Sequence, residues 1–103
     1  MPSDPEHAHA DYKAPNGKLI RIDASLKDGK IENIIIHGDF FIYPEESITE
    51  IETILIGVRA DDFLGAKRRL DALISGKKIK LVGLTVDDII EALKKANGKN
   101  KDL

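Results

Sequence analysis

The sequence contains no cysteine and no tryptophan, and three phenylalanines and two tyrosines are its only aromatic residues. A chain without cysteine cannot form disulfides, use a thiol nucleophile or bind a metal through thiolates. No apolar run approaches the roughly 20 residues that a membrane-spanning helix needs. The first ten residues are polar and lack the apolar core of a secretory signal. We therefore expect a cytoplasmic protein with no membrane contact.

The composition is that of one small globular domain. Hydrophobic residues make up 42% of the 103 residues and charged residues 33%, enough for a modest core. The 16 basic and 18 acidic side chains give a formal net charge of -2. This balance gives the chain no general attraction to nucleic acid.

The first half of the chain predicts a β-hairpin. Leu19 to Leu26 alternates between apolar and polar residues, which is the pattern of a half-buried strand. Asp28-Gly29 is a strong hairpin turn signal because glycine adopts the positive φ of a tight turn. Ile31 to His37 is the predicted return strand. Ile34 and Ile36 share its inner face, which leaves Ile35 on the opposite face.

Two helices are predicted after the hairpin. The first begins near Pro44, because proline suits a first helical position, and ends near Gly57. The second begins at Asp61 as a cap and ends at Gly76. Apolar residues recur at helical spacing in both, at Ile48, Ile51, Leu55, Phe63, Ala66, Leu70 and Leu73.

The last part of the chain predicts a short strand and a third helix. Lys78 to Val82 alternates like a strand. Thr85, with Asp88 three residues later, resembles a capping box with the shorter acid. The helix that follows is predicted to end at Asn97-Gly98.

These elements predict an α+β fold, in which an antiparallel β-hairpin or small sheet is covered by about three helices in a single compact domain. Residues 1–16 hold three of the four prolines and are predicted to be a flexible N-terminal arm. Residues 17–97 form the domain, and residues 98–103 form a C-terminal tail.

The sequence offers few groups for catalysis. His7 and His9 have the spacing to reach one metal ion, but no third ligand lies near them in sequence. His37 is interpreted as a solvated or locally hydrogen-bonded side chain. No glycine-rich phosphate loop and no nucleophile elbow is present. We predict no catalytic, cofactor-binding or metal site in this chain.

A short basic run, Lys67-Arg68-Arg69, lies near Lys77, Lys78 and Lys80. It lacks the interleaved aromatic residues that stack on bases, so a solvated helix face is the favoured interpretation. Contact with nucleic acid or an acidic partner is the alternative.

The segment from Gly38 to Glu46 contains two of the three phenylalanines and one of the two tyrosines. Phe40 continues the inner face of the preceding strand. Phe41 either covers the start of the helix or lies open beside Tyr43. Exposed apolar surfaces favour a binding module over an enzyme. The predicted partner-binding residues are Ile35, Asp39, Phe40, Phe41, Tyr43 and Glu45.

Four segments together resemble the C-terminal accessory domain of lipoate–protein ligases. They are Gly17 to Ile22, Asp28 to Ile31, Ile36 to Glu46 and Val82 to Ile89. The resemblance covers about Tyr12 to Leu93, and its most specific part is Gly38-Asp39-Phe40-Phe41. Because the domain stands alone here, the chain resembles the small subunit of a two-chain, archaeal-type ligase.

The resemblance implies an accessory subunit that is not an enzyme by itself. In this family the two chains together convert lipoate and ATP to lipoyl-adenylate, and the lipoyl group then passes to a lysine of an acceptor protein. The acceptors are lipoyl domains of 2-oxoacid dehydrogenases or the glycine-cleavage H protein. ATP, Mg and lipoate are expected in the large catalytic subunit. The family fold is related to that of sulfur-transfer and iron–sulfur scaffold proteins, whose chemistry a chain without cysteine cannot perform.

The resemblance leaves the mode of action open. A docked small chain can select the ordered conformation of mobile loops in the large chain. The alternative is a direct contribution of Lys18 or Arg21 at the rim of the active site. A stand-alone module that binds protein or nucleic acid through the Lys67 to Lys80 face is the competing function, and a purely structural interaction domain is a further one.

Overall fold

A three-stranded antiparallel sheet forms one side of the molecule. The computed structural model describes residues 6–101, with side chains described through Asn97. The strands are β1 (Glu6–Lys13), β2 (Leu19–Lys27) and β3 (Lys30–Gly38), in the spatial order β1-β2-β3.

The predicted hairpin between β2 and β3 is confirmed. Asp28 and Gly29 both adopt positive φ, at 54° and 78°, as a two-residue turn of type I′ requires. The pairing register shifts between Ser25 and Leu26, which marks a β-bulge. The sheet nevertheless buries one continuous apolar face, formed by Ala8, Ala10, Ile20, Ile22, Ala24, Leu26, Ile34 and Ile36.

β1 overturns the prediction of a flexible arm over residues 1–16. Residues 6–13 pair with β2 along their whole length, with Ala8 opposite Ala24 and Ala10 opposite Ile22. Residues 1–5 of the predicted arm lie outside the described residues. The alternation in this strand rests on two alanines, whose small side chains give a weak hydrophobic signal beside three prolines.

Two helices, α1 (Ser47–Leu55) and α3 (Val86–Lys101), cover the inner face of the sheet, and a third, α2 (Phe63–Lys77), lies over them. α3 packs on β1 and β2, α1 packs on β3, and α2 packs against both other helices. Leu55, Leu70 and Ile89 are fully buried where these elements meet. The predicted α+β fold is confirmed. No helix within residues 6–101 has the length and apolar character needed to cross a membrane.

The helix starts differ from the prediction by one to three residues. Pro44 lies in a turn before α1, where its carbonyl oxygen accepts a 3.0 Å hydrogen bond from the Ser47 N–H. α2 is capped by Asp62 rather than Asp61, because the Asp62 carboxylate lies 2.9 Å from the Gly65 backbone N–H. Both differences are within the usual error of reading boundaries from a pattern.

The helix ends also differ. α2 continues through Gly76 to Lys77, and Lys78 takes the left-handed conformation that a glycine would normally supply, with φ 54°. α3 runs through the predicted stop at Asn97-Gly98 to Lys101, which takes in residues 98–101 of the predicted tail. Residues 102–103 lie outside the described residues.

Two short strands form a second sheet, one before α1 and the other between α2 and α3. β4 (Phe41–Tyr43) and β5 (Lys80–Val82) pair in antiparallel fashion. β5 confirms the predicted strand near Lys78 to Val82, although it is shorter. β4 contains Phe41 and Tyr43, so the aromatic segment forms a short strand of its own before α1 begins.

Candidate partner-binding site

Three large side chains of the two-stranded sheet are exposed to solvent. In antiparallel pairs, directly opposite residues share one face of the sheet. Phe41 lies opposite Val82, and Tyr43 lies opposite Lys80. Phe41 is 65% exposed, Tyr43 51% and Val82 40%. Ile42, between the two aromatic residues, is buried and anchors the strand to the core.

A groove runs along β4 between the end of β3 and the start of α1. Its volume is about 280 Å³. It is lined by Ile36, His37, Gly38, Phe40, Phe41, Ile42, Tyr43, Glu45 and Ile48. Pockets for small ligands are usually larger, about 300–1,000 Å³, and more enclosed. This groove, which we call the junction groove, suits side chains of a partner protein better than a cofactor.

Glu45 lines the junction groove, and two further acidic residues, Asp39 and Glu46, are next in sequence to residues that line it. Asp39, Glu45 and Glu46 are exposed. None of the three has an ion-pair partner among the side chains described through Asn97. Lys80, across from Tyr43 on β5, is the cation nearest to Tyr43 in the strand register. The unpaired acidic residues therefore lie in the segments that enter and leave β4.

The predicted partner-binding residues divide between two places. Phe40 is half-buried against the core, as predicted, and lines the junction groove. Phe41, Tyr43 and Glu45 also line it. Phe41 is too exposed to act as a staple over the helix, so that alternative is wrong. Asp39 lies between β3 and β4 without lining the groove.

Ile35 lies apart from the junction groove. It is 54% exposed on the outer face of the three-stranded sheet, where no described element covers it. A shallow concavity there is lined by Ile35 together with polar residues of all three strands, among them His9 and Asp23. The structure therefore does not bring Ile35 together with the aromatic residues.

Polar side chains next to Ile35 link the three strands. The Asp23 carboxylate on β2 lies 2.6 Å from His9 Nδ1 on β1 and 3.4 Å from His37 Nε2 on β3. The hydrogen bond from His9, and after it the one from His37, lowers the pKa of Asp23 below its ordinary range. His37 is half-exposed and locally hydrogen-bonded, as predicted.

The pair His7 and His9 does not extend to a larger metal-binding set. Across residues 6–101, no group of three or more histidine, aspartate or glutamate side chains is arranged to hold a metal ion. His9 instead contacts two carboxylates, those of Asp11 and Asp23.

The basic segment on α2 is partly neutralised by neighbouring acids. Lys67 Nζ lies 2.6 Å from the Asp87 carboxylate, and Lys77 Nζ lies 2.6 Å from that of Glu50. The hydrogen bond to Asp87 raises the pKa of Lys67. These pairs reduce the positive charge that the segment offers to a nucleic acid.

Val82 is a surface residue that the sequence prediction missed. Its exposure beside Phe41 follows from the pairing of β4 with β5, two strands that are about 40 residues apart in sequence. The sequence does place Val82 at the apolar end of the predicted strand over Lys78 to Val82. It does not indicate which strand pairs with this one, so it cannot place Val82 beside Phe41.

Comparison with known proteins gives three consistent matches. The family described as bacterial lipoate protein ligase C-terminus matches residues 5–93. A relative from Thermoplasma acidophilum, named lipoate-protein ligase A subunit 2, is 46% identical over 46 residues, which are 45% of this chain and 48% of that relative. The aligned segment thus spans about half the length of that relative.

A solved structure extends the likeness to nearly the whole fold. It is a chain from a structural analysis of an archaeal lipoylation system, a bi-partite lipoate protein ligase and its E2 lipoyl domain, also from Thermoplasma acidophilum. The match has a TM-score of 0.72 and 28% identity, and it covers 86% of this chain and 96% of that chain. The family match spans β1 to the first half of α3, and this chain belongs to the lipoate protein ligase C-terminal family.

Proposed function

We propose that this chain is the accessory subunit of a two-chain lipoate–protein ligase. The observation that carries the proposal is the fold match, which covers 96% of a chain from a bi-partite lipoate protein ligase system. In such a two-part enzyme, the large partner would supply the active site. The heterodimer would work in the cytoplasm, where ATP is available.

The proposal divides the chemistry between the chains. The large chain binds ATP, Mg and lipoate and contains the reacting groups. This chain is required when lipoate is converted to lipoyl-adenylate, and so for transfer of the lipoyl group to lysines of 2-oxoacid dehydrogenase lipoyl domains or the glycine-cleavage H protein. The open apolar strand β4, with Phe41 and Tyr43 exposed, is consistent with a docking role.

A conformational contribution is the mechanism we favour. Adenylation develops negative charge at the α-phosphate, and donors fixed in advance stabilise that charge. If the loops that carry those donors in the large chain are mobile, binding of this chain to their ordered form shifts the population toward it. This effect needs a docking surface on the small chain and no catalytic group.

The test separates the two half-reactions. Lipoyl-adenylate formation is measured with the large chain alone, this chain alone and both together, and transfer is measured separately from supplied lipoyl-adenylate to an acceptor domain. We expect adenylation only with both chains, and transfer from supplied adenylate by the large chain alone. Equal adenylation with and without this chain would refute the accessory role. Adenylate formed by this chain alone would refute the division of chemistry.

A further inference from the structure

The junction groove has the features of a protein-docking site rather than of an incidental surface depression. Its wall includes Phe41 and Tyr43, which are 65% and 51% exposed and lie on the same side of β4. Ile42 between them is buried, and main-chain pairing with β5 holds the strand in place. The aromatic side chains are therefore presented from a fixed backbone, which reduces the entropy lost when a partner binds them.

The apolar surface continues beyond the groove across the two-stranded sheet. Val82 lies directly opposite Phe41, so the exposed apolar strip crosses from β4 to β5. The other exposed large apolar residues, Ile35, Ile56 and Leu64, lie outside the two-stranded sheet. Aromatic residues at the centre of an apolar patch are the usual energetic anchors of protein interfaces.

The charges at the rim indicate which partner fits. Asp39, Glu45 and Glu46 have no ion-pair partner among the described side chains, whereas Lys67 and Lys77 elsewhere on the chain are paired. Unpaired carboxylates beside an apolar groove complement lysine or arginine side chains on a partner. Lys80 opposite Tyr43 and Lys18 beside Gly83 add opposite charges near these acidic residues, which restricts the orientation of a charged bound segment.

We propose that the junction groove receives an apolar segment of the large ligase chain that is flanked by lysine or arginine side chains. This inference rests on the proposed function, which supplies the identity of the partner. It assigns the contact to Phe41, Tyr43 and Val82, with Asp39 and Glu45 as the charged rim. Ile35, on the other face of the molecule's main sheet, lies outside this interface.

The experiment measures the affinity of this chain for the large ligase chain of the same organism by calorimetry at low and high salt. Phe41→Ala/Tyr43→Ala removes the anchors, and we expect the Kd to rise at least about tenfold. Leu64→Ala is the matched control, since Leu64 is 60% exposed on α2. We expect its Kd to stay within about twofold of the unmodified chain.

A second pair of variants tests the rim. Asp39→Asn/Glu45→Gln should raise the Kd about three- to tenfold at low salt and flatten its salt dependence. Asp28→Asn/Glu32→Gln removes the same charge at exposed positions of the hairpin and should change neither. The rim variants keep the shape of each side chain, so they remain informative if the aromatic double variant fails to fold.

The outcomes separate this inference from the proposed function. No binding by the unmodified chain would overturn both. Binding that Phe41→Ala/Tyr43→Ala leaves unchanged would overturn the groove assignment and leave the accessory role standing. Self-association of this chain in sedimentation, abolished by the aromatic double variant, would show that a second copy occupies the groove and would also overturn the inference.

Discussion

The Glu52 carboxylate on α1 accepts a 2.8 Å hydrogen bond from the backbone N–H of Ile36 on β3. β3 is an edge strand, so this N–H has no neighbouring strand to bond. On the opposite edge, Lys95 of α3 donates a 2.6 Å hydrogen bond to the Asp11 carbonyl of β1. Each edge of the three-stranded sheet thus has a main-chain group occupied by a charged side chain from a helix, which hinders edge-to-edge pairing with another molecule.

Glu52→Ala should destabilise the fold and promote self-association. The Ile36 N–H is part-buried and would lose a charge-assisted bond, which typically costs about 2 kcal/mol. Urea unfolding measures the first effect and sedimentation velocity the second. Glu52→Gln keeps an acceptor and should lose less stability. Glu32→Ala, at an exposed position of β3, should have little effect on stability. Equal losses of stability for Glu32→Ala and Glu52→Ala would contradict the edge-capping role.

Thr85→Ala should remove about 1 kcal/mol from the free energy of unfolding. Thr85 Oγ1 accepts a 3.0 Å hydrogen bond from the Asp88 N–H, and the Asp88 carboxylate accepts a 3.0 Å bond from the Thr85 N–H. Each side chain therefore satisfies a backbone donor at the start of α3, as in a capping box.

The control for this prediction is Thr85→Ser, which retains the hydroxyl and should stay close to the unmodified chain. Because α3 packs on β1, loss of the cap should shift the whole unfolding transition in urea rather than only local helicity. Equal urea midpoints for the alanine and serine variants would show that the cap contributes nothing to stability.

The capping box and the β2–β3 hairpin were predictable because each depends on residues close in sequence. Thr85 and Asp88 are three residues apart, and Asp28-Gly29 determines its own turn geometry. The outward positions of Ile35 and Phe41 followed from strand alternation for the same reason. Local chemistry therefore gave the fold class and the exposed positions of Ile35, Phe41 and Tyr43.

The sequence did not predict β1 or the exposure of Val82, because these features depend on small residues and on long-range pairing. β1 is recognisable only once α3 is seen to cover Ala8 and Ala10, because alanine fits under a helix without a strong hydrophobic signal. Val82 joins the candidate site through pairing with Phe41, and no local pattern specifies that pairing. The separation of Ile35 from the groove likewise depends on how the two sheets are placed, which is a tertiary property.

Asp23 should make the protein more stable above about pH 4 than below it. Hydrogen bonds from His9 first, and then from His37, lower the pKa of Asp23 from its ordinary value of 3.8. A carboxylate whose pKa is lower in the folded state contributes stability above its unfolded pKa, and that contribution is lost as the pH falls through the folded pKa. The carboxylate is 52% exposed, so solvent screening limits the effect to less than about 1 kcal/mol.

Unfolding in urea at several pH values between about 5 and 2 checks this sign. The unmodified chain should lose more stability toward acid than Asp23→Asn does. A double-mutant cycle with His9→Gln should assign most of the difference to the His9–Asp23 pair, since that hydrogen bond is the shorter of the two, at 2.6 Å against 3.4 Å. Parallel pH profiles for the unmodified chain and Asp23→Asn would contradict the assignment.

Gly38→Ala should destabilise the protein by more than about 3 kcal/mol, because a Cβ at this position would collide with the Leu19 carbonyl oxygen of the neighbouring strand. Gly38 has φ 153°, and the next residue, Asp39, donates a 2.9 Å hydrogen bond to that same oxygen. The chain can therefore leave β3 and enter β4 only if residue 38 has no side chain.

Gly76→Ala is the control, since that helical site has no atom within 4 Å of the added Cβ, and the variant should gain up to about 1 kcal/mol of stability. Denaturant unfolding of both variants measures the two opposite effects. Gly38→Ala with unchanged stability would mean that the β3–β4 junction can rearrange, and the fixed presentation of Phe41 and Tyr43 would then lose its structural basis.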